Sequence, residues 1–320
     1  MFNFDICSYN MGTNQQDYAQ KCTYYDSQNK NYDMVQQETS SALVGKAAVY
    51  CLQEVRNTQR PLIKALQAQG FEIFRAPNSN PNFQFSAAIL LDSKIFKDFD
   101  NQSFDEMVCL EEINGFARAY KKDGAIVSAT HIASGQRITF VSAHVPGFDF
   151  DKPVTELEGK KGDLYCHLIA DKLAEIANKS MQKTFHVIGA DMNANPEKWQ
   201  PRFDIFSREG FAIHRTNAPT NVNPADQTNR EREIDFVFTN EFYVIPTIYA
   251  IWEKFKSFFI ETSYYEFLIK ENSVLGLAAE NNASDHGALF VAANFTTKPN
   301  IYQLANSICS LVLSFFYKII

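Results

Sequence analysis

The sequence predicts an α/β (α+β) protein built as a two-sheet β-sandwich flanked by helices, and three observations carry that prediction. Strand-length apolar runs follow one another between residues 71 and 144 (FEIFRA, SAAILLD, GAIVSATHI, RITFVSAH), separated by Asn, Pro, Gly and Asp turns. Helical periodicity is confined to a few stretches, whereas a doubly wound parallel sheet needs crossover helices between its strands. Polar residues recur at the ends of the apolar runs: Asn10 in FDICSYNMG, Gln53 and Glu54 in VYCLQEV, His144 in ITFVSAHVPG, Asp191 and Asn193 in FHVIGADMN, and Ser284, Asp285 and His286 before GALFVAANF, with Asp235 inside REIDFVFTN. An unpaired charge after a buried strand is costly to desolvate, so repeated strand ends of this kind point to one shared site.

Taken in order, residues 2–9 alternate and then run apolar as a strand, and roughly 32–46 form a helix before the strand AAVYCLQEV. Residues 59–69 (QRPLIKALQAQ) are helical, with Pro61 suited to a first turn and Gly70 as the stop. After the strand-rich stretch, Leu164, Leu168, Leu173 and Ile176 recur at helical spacing over 163–178, ahead of the strand TFHVIGAD. Two regions read as additions to a body spanning 1–298. One is an aromatic-rich insertion at about 241–282, where Ile251, Trp252, Phe255, Phe258 and Phe259 share a helical face. The other is a terminal helix, 299–320, with a narrow polar stripe of Gln303, Ser307, Ser310, Ser314 and Lys318, whose apolar face either packs on the body or associates with a membrane.

With 320 residues, 45% of them hydrophobic, the chain can bury a sizeable core. A formal charge of −7 gives no overall basic field, so contact with a polyanion needs a local patch or metal ions. The six cysteines show no C-x-x-C spacing, and reduced, structural thiols are the expectation. The N-terminus MFNFDICSYN has no basic leader followed by an apolar stretch, so cytoplasmic synthesis without Sec export is expected. Membrane-surface association, or export by another route, is the alternative. Nothing in the sequence identifies a partner protein.

Six short motifs in this order, each after or within a strand, resemble the endonuclease/exonuclease/phosphatase superfamily over Asn10 to about Phe295. The resemblance implies a deoxyribonuclease-like four-layer sandwich and a metal-dependent phosphoesterase. Phosphate ester hydrolysis needs a cation against the phosphoryl oxygens, an activated water and a proton for the leaving oxygen. Glu54, with Asn10 and Asp285, is the expected holder of Mg²⁺ or Mn²⁺, because carboxylate and amide oxygens suit hard cations. By resemblance Asp191 orients or deprotonates the attacking water, and Asn193 positions phosphate or water. His286 faces the phosphate with Asp235 fixing its tautomer, and His144 protonates the leaving group or stabilises charge. Arg118 in GFARAY resembles a phosphate-contacting arginine, and Gln53 supports Glu54 from behind.

Ala190 stands where the family usually has glycine, and Glu233 where it often has arginine. The inositol phosphatase signatures are absent, which favours a nuclease-like phosphodiesterase acting on nucleic acid. Two alternatives stand beside it. One is a phosphoinositide phosphatase or sphingomyelinase-like phospholipid phosphodiesterase that touches a membrane through 249–260 and 301–320. The other is a catalytically silent binding module on the same scaffold. For each polar residue alone, the simplest role is a strand-end cap or surface charge, and their joint occurrence argues against that. His131, His167, His186 and His214 have no such company and read as ordinary core or surface residues.

Overall fold

The apolar runs form strands buried on both faces, and the pleat sends their alternate side chains into two different layers. All five residues of β2 (Val49–Gln53) are buried. Val49 and Cys51 face one apolar cluster, and Tyr50 and Leu52 another. Such a sheet requires cover on both sides.

The structure is a computed structural model. It describes residues 2–12, 31–55, 60–75, 87–102, 108–113, 116–121, 124–147, 153–179, 184–215, 220–221, 232–240, 264–275, 284 and 286–298, with backbone alone for 2–3, 108–113, 116–121, 157–158, 264–275 and 293–298. The elements are β1 (Phe2–Asn10), α1 (Tyr32–Leu43), β2, α2 (Pro61–Ala68), β3 (Phe71–Phe74), β4 (Ala88–Asp92), β5 (Phe96–Gln102), β6 (Val108–Ile113) and β7 (Phe116–Lys121). They continue as β8 (Ala125–His131), β9 (Arg137–His144), α3 (Glu156–Lys179), β10 (Phe185–Asp191), α4 (Pro196–Arg208), β11 (Phe211–His214), β12 (Asp235–Asn240), β13 (Tyr264–Leu275) and β14 (Ala288–Lys298).

One six-stranded sheet has the order β13-β14-β1-β2-β4-β3, the other β11-β12-β10-β9-β8-β5, and β6 and β7 form a separate ribbon. Each large sheet contains one parallel pair, β1 with β2 and β9 with β10, and the remaining pairings are antiparallel. The two parallel pairs need crossovers, which α1 and α3 supply. Between the sheets lies a cluster including Ile6, Val49, Ile89, Phe140, Val187 and Val291, in which Phe96 packs edge-on against Phe4 and Phe140. Residues of α2 cover the outer face of the first sheet, and residues of α3 and α4 that of the second. The result is the four-layer α/β/β/α sandwich that the sequence predicts.

The helices begin where capping chemistry allows. The Asn31 side chain accepts from Asp33 N at 2.8 Å to open α1, Pro61 opens α2, and Gly70 follows α2 at φ 97°. α3 starts seven residues earlier than periodicity indicates, since Gly159 and Gly162 interrupt the pattern. α4 follows Asn-Ala-Asn-Pro, residue types that also build turns: Asn195 caps it through Lys198 N at 2.8 Å, and Pro196 occupies its first turn. Residues 264–275, inside the segment read as an insertion, form β13 alongside β14. The proposed helices at 249–260 and 301–320 lie outside the described residues. No helix among the described residues is long and apolar enough to cross a membrane.

Candidate active site

Strand register brings the polar strand ends to one end of both sheets. β1 and β2 run parallel with Asn10 beside Gln53. β9 and β10 run parallel with His144 beside Asp191, and antiparallel β12 begins with Asp235 directly opposite Asp191. Ser284 ties its segment to β1 by donating its hydroxyl to the Asn10 carbonyl at 2.7 Å, and it accepts from His286 N at 3.1 Å.

Asp191 lies at the centre. Its Oδ2 accepts from the Asn10 amide at 2.8 Å and lies 3.5 Å from His144 Nε2 and 3.9 Å from His286 Nε2. Its Oδ1 accepts from Asn193 N at 2.8 Å. Only 1% exposed, the carboxyl is held well above the ordinary aspartate range, first by burial and then by the neighbouring Asp235 charge. His286, Asn10 and Asn193 N oppose that rise. Asp235, fully buried, receives His286 Nδ1 on its Oδ2 at 2.8 Å, which turns Nε2 toward Asp191.

The Glu54 carboxylate joins from the other sheet. Its Oε1 lies 3.4 Å from the Asn10 amide nitrogen and 3.6 Å from His144 Nε2. The Asn193 side chain donates to His144 Nε2 at 2.8 Å and to the Val145 carbonyl at 3.0 Å. Glu54 and Asn193 both have left-handed backbone, φ 51° and 46°, and Asp98 is the other described non-glycine residue with positive φ. Two of three such residues therefore sit in the site. Strain of this kind costs about 1 to 3 kcal/mol per residue and persists where surroundings over-determine it.

Gln53 belongs to the layer behind. Its Nε2 is 3.1 Å from the Cys51 and Gly189 carbonyls and 3.2 Å from Ser142 Oγ, so its side chain spans the two sheets. The two carbonyls fix which end of the amide faces them. Thr220 and Asn221 are residues that sequence reasoning missed. Thr220 Oγ1 accepts from both Ile234 N and Asp235 N at 3.0 Å, while its carbonyl accepts from Gly287 N at 2.6 Å. This pair fastens Asp235 to His286 across 51 positions, but APTNVNP carries only turn signals.

Seven of the predicted site residues thus converge: Asn10, Glu54, His144, Asp191, Asn193, Asp235 and His286. Asp285 lies outside the described residues, and Arg118 is on β7 opposite Glu111, with only its backbone described. His186 sits at the far end of β10, where burial lowers its pKa to about 4, and His131 pairs with Ser134 at 2.8 Å. Cys7, Cys51 and Cys166 are free and buried, and burial pushes Cys51 and Cys166 up to about 12. Ala190 packs under α3 and α4, and Glu233 accepts from Arg215 Nε at 2.9 Å.

The donor set fits a hard cation. Two carboxylates from different sheets share one amide nitrogen and one imidazole, and Asp235 Oδ1 is buried without a hydrogen-bond partner among the described residues. Ligand atoms of Asp191, Asp235 and His286 all lie within 4.8 Å of one another. The Asn10 amide turns its Nδ2 to the Asp191 and Glu54 carboxylates, while its Oδ1 accepts from Gly12 N at 2.8 Å.

The arrangement of sheets, helices and strand-end site defines a deoxyribonuclease-like α/β sandwich. No protein-family model matches the chain, and no curated protein matches it in sequence. Solved structures match over most of its length. The human Nocturnin catalytic domain with bound sulfate anion aligns at TM-score 0.57 and 13% identity, covering 92% of this chain and 94% of that one. An endonuclease/exonuclease/phosphatase from Bacteroides vulgatus aligns at 0.57 and 15%, covering 92% and 100%. D. rerio TDP2 complexed with single strand DNA product aligns at 0.53 and 12%, covering 92% and 100%. The likeness is one of fold: the chain shares the α/β sandwich of these proteins.

Proposed function

We propose that the chain is a divalent-metal-dependent phosphoesterase, and within that class a nuclease-like phosphodiesterase. The observation that carries the reading is the convergence on the Asp191 carboxylate of an amide from β1, an imidazole from β9 and a second imidazole backed by Asp235. A structural hydrogen-bond cluster has no need of two buried carboxylates held face to face. Ester hydrolysis does, because water must lose a proton beside a group that gains charge.

In this reading Asp191 accepts the proton of the attacking water, and its raised pKa makes it a stronger base than a free aspartate. Asn193 and His144 form one unit that steadies the phosphoryl oxygens. His286, with its Nδ1 proton fixed on Asp235, presents Nε2 to the substrate as a donor when protonated. Glu54, Asp285 and Asn10 would hold Mg²⁺ or Mn²⁺. Bound there, the cation supplies positive charge against the transferring phosphoryl group. Arg118 is assigned a phosphate contact.

D. rerio TDP2 holds a single strand DNA product on the same fold, which supports nucleic acid as the substrate class. Incubation of the full chain with plasmid DNA, RNA, phosphoinositides and sphingomyelin, each with Mg²⁺ and with chelator, tests the reading. Cleavage of DNA or RNA that chelator abolishes is the expected result. Turnover of the lipids alone would replace the nuclease with the phospholipid enzyme, and turnover that survives chelation would overturn the metal-dependent mechanism.

A further inference from the structure

The largest fully buried side chain in the second sheet's outer layer is a cation, Arg202, with 0% exposure. Burying a guanidinium is costly unless every donor is met, and here the partners form one connected set. Nη1 donates to the Met192 carbonyl at 2.6 Å, Nη2 to the Gly159 carbonyl at 3.4 Å, and Nε lies 3.5 Å from Asp163 Oδ1. Asp163 is itself held by Trp199 Nε1 at 3.0 and 3.1 Å.

The helix beneath has the shape this requires. A Cβ at Gly162 would meet Arg202 Nη2 at 1.8 Å, and one at Gly159 would meet the Trp199 ring at 2.2 Å. Two glycines inside α3 are unfavourable for a helix, and here they open the seat in which α4 lodges its arginine and tryptophan. Met192 lies between Asp191 and Asn193. The Asp191 carbonyl accepts from Val145 N at 2.8 Å, Met192 N donates to the Ile234 carbonyl at 2.8 Å, and Asn193 N donates to Asp191 Oδ1 at 2.8 Å. Arg202 is the side chain that closes this set from behind.

We propose that Arg202, seated by Asp163, Gly159 and Gly162, is a positioning residue that locks the Asp191–Asn193 turn and with it the left-handed backbone of Asn193. It touches no substrate and acts through the Met192 carbonyl. The catalytic half of this inference rests on the proposed phosphodiesterase activity, while the locking half does not.

The test uses the full chain with Arg202→Met, which removes the donors while keeping an apolar filling of the seat. Gly162→Ala is the second variant, displacing the guanidinium without removing it. Hydrogen exchange followed by mass spectrometry should show the amides of 192–193 exchanging about tenfold faster in both variants, with α3 and β9 unchanged. kcat on a phosphodiester should fall by about 10- to 100-fold with KM within about twofold, because a misplaced base costs rate rather than affinity. Arg202→Lys, which keeps the charge and a single donor nitrogen in place of the fork, should recover part of both signals. Unchanged exchange at 192–193 in both variants would overturn the proposal, as would faster exchange spread evenly over α3 and α4, which marks a packing role only. If the parent turns over no phosphodiester, the proposed function fails and the exchange result still decides whether Arg202 locks the turn.

Discussion

Asp191 combines the traits expected of a base: full burial, a facing carboxylate in Asp235, and donors that hold both of its oxygens. Its raised pKa sets the sign of two pH effects. Activity needs the ionised form, so the acid limb of the kcat/KM profile should lie above the ordinary aspartate range, and a plateau persisting to pH 5 would contradict this. In chelator, a carboxyl whose folded pKa is raised lends stability that is complete below its unfolded value and is lost as pH rises through the folded one. The melting temperature of the metal-free protein should therefore fall as pH rises from about 4 toward neutrality. Asp191→Asn should abolish most of that slope while lowering kcat by about 10²- to 10⁴-fold, the range for loss of a general base. Stability gained with activity lost is the pattern of a group placed for chemistry.

The sheets are clamped to each other directly behind the site. Gln53 from β2 reaches Ser142 on β9 and the Gly189 carbonyl on β10, and Ser142 Oγ donates to the Leu52 carbonyl at 2.8 Å. A Cβ at Gly189 would stand 2.5 Å from Cys51 Cβ, so the sheets approach here as closely as glycine allows. Gln53→Leu leaves buried acceptors unmet and should cost about 1 to 3 kcal/mol in urea denaturation, with no change in metal affinity. An unchanged denaturation midpoint would show that water or rearrangement replaces the clamp. The strands that carry the site were legible in the sequence because each is an unbroken apolar run ending in a polar residue, a pattern set by burial on both faces and register at the rim. α4 was not, because Pro196, Pro201 and the Asn-rich entry are turn chemistry until Asn195 acts as a cap. The strap at Thr220–Asn221 was illegible for a different reason: two residues carry no period, and their bonds run to segments 11 to 67 positions away. Gln53 was read as a support for Glu54, while its described hydrogen bonds hold the sheets together.

At the scale of the whole molecule, two βαβ crossovers, one in each sheet, bring Asn10 and Glu54 from the first sheet against His144, Asp191 and Asp235 from the second. A cation held by Glu54 would bind the folded rim and not the unfolded chain, so Mn²⁺ should raise the melting temperature at neutral pH. Glu54→Gln should remove most of that increase. The central claim is that this rim hydrolyses phosphate diesters with Asp191 as base and a divalent cation held by Glu54. Its most direct measurement is turnover of single-stranded DNA by the full chain in Mg²⁺, compared with Asp191→Asn, Glu54→Gln and the parent in chelator. Cleavage by the parent that falls by at least about 100-fold in all three comparisons is the predicted result. Equal turnover in parent and variants, or cleavage that continues in chelator, would contradict it.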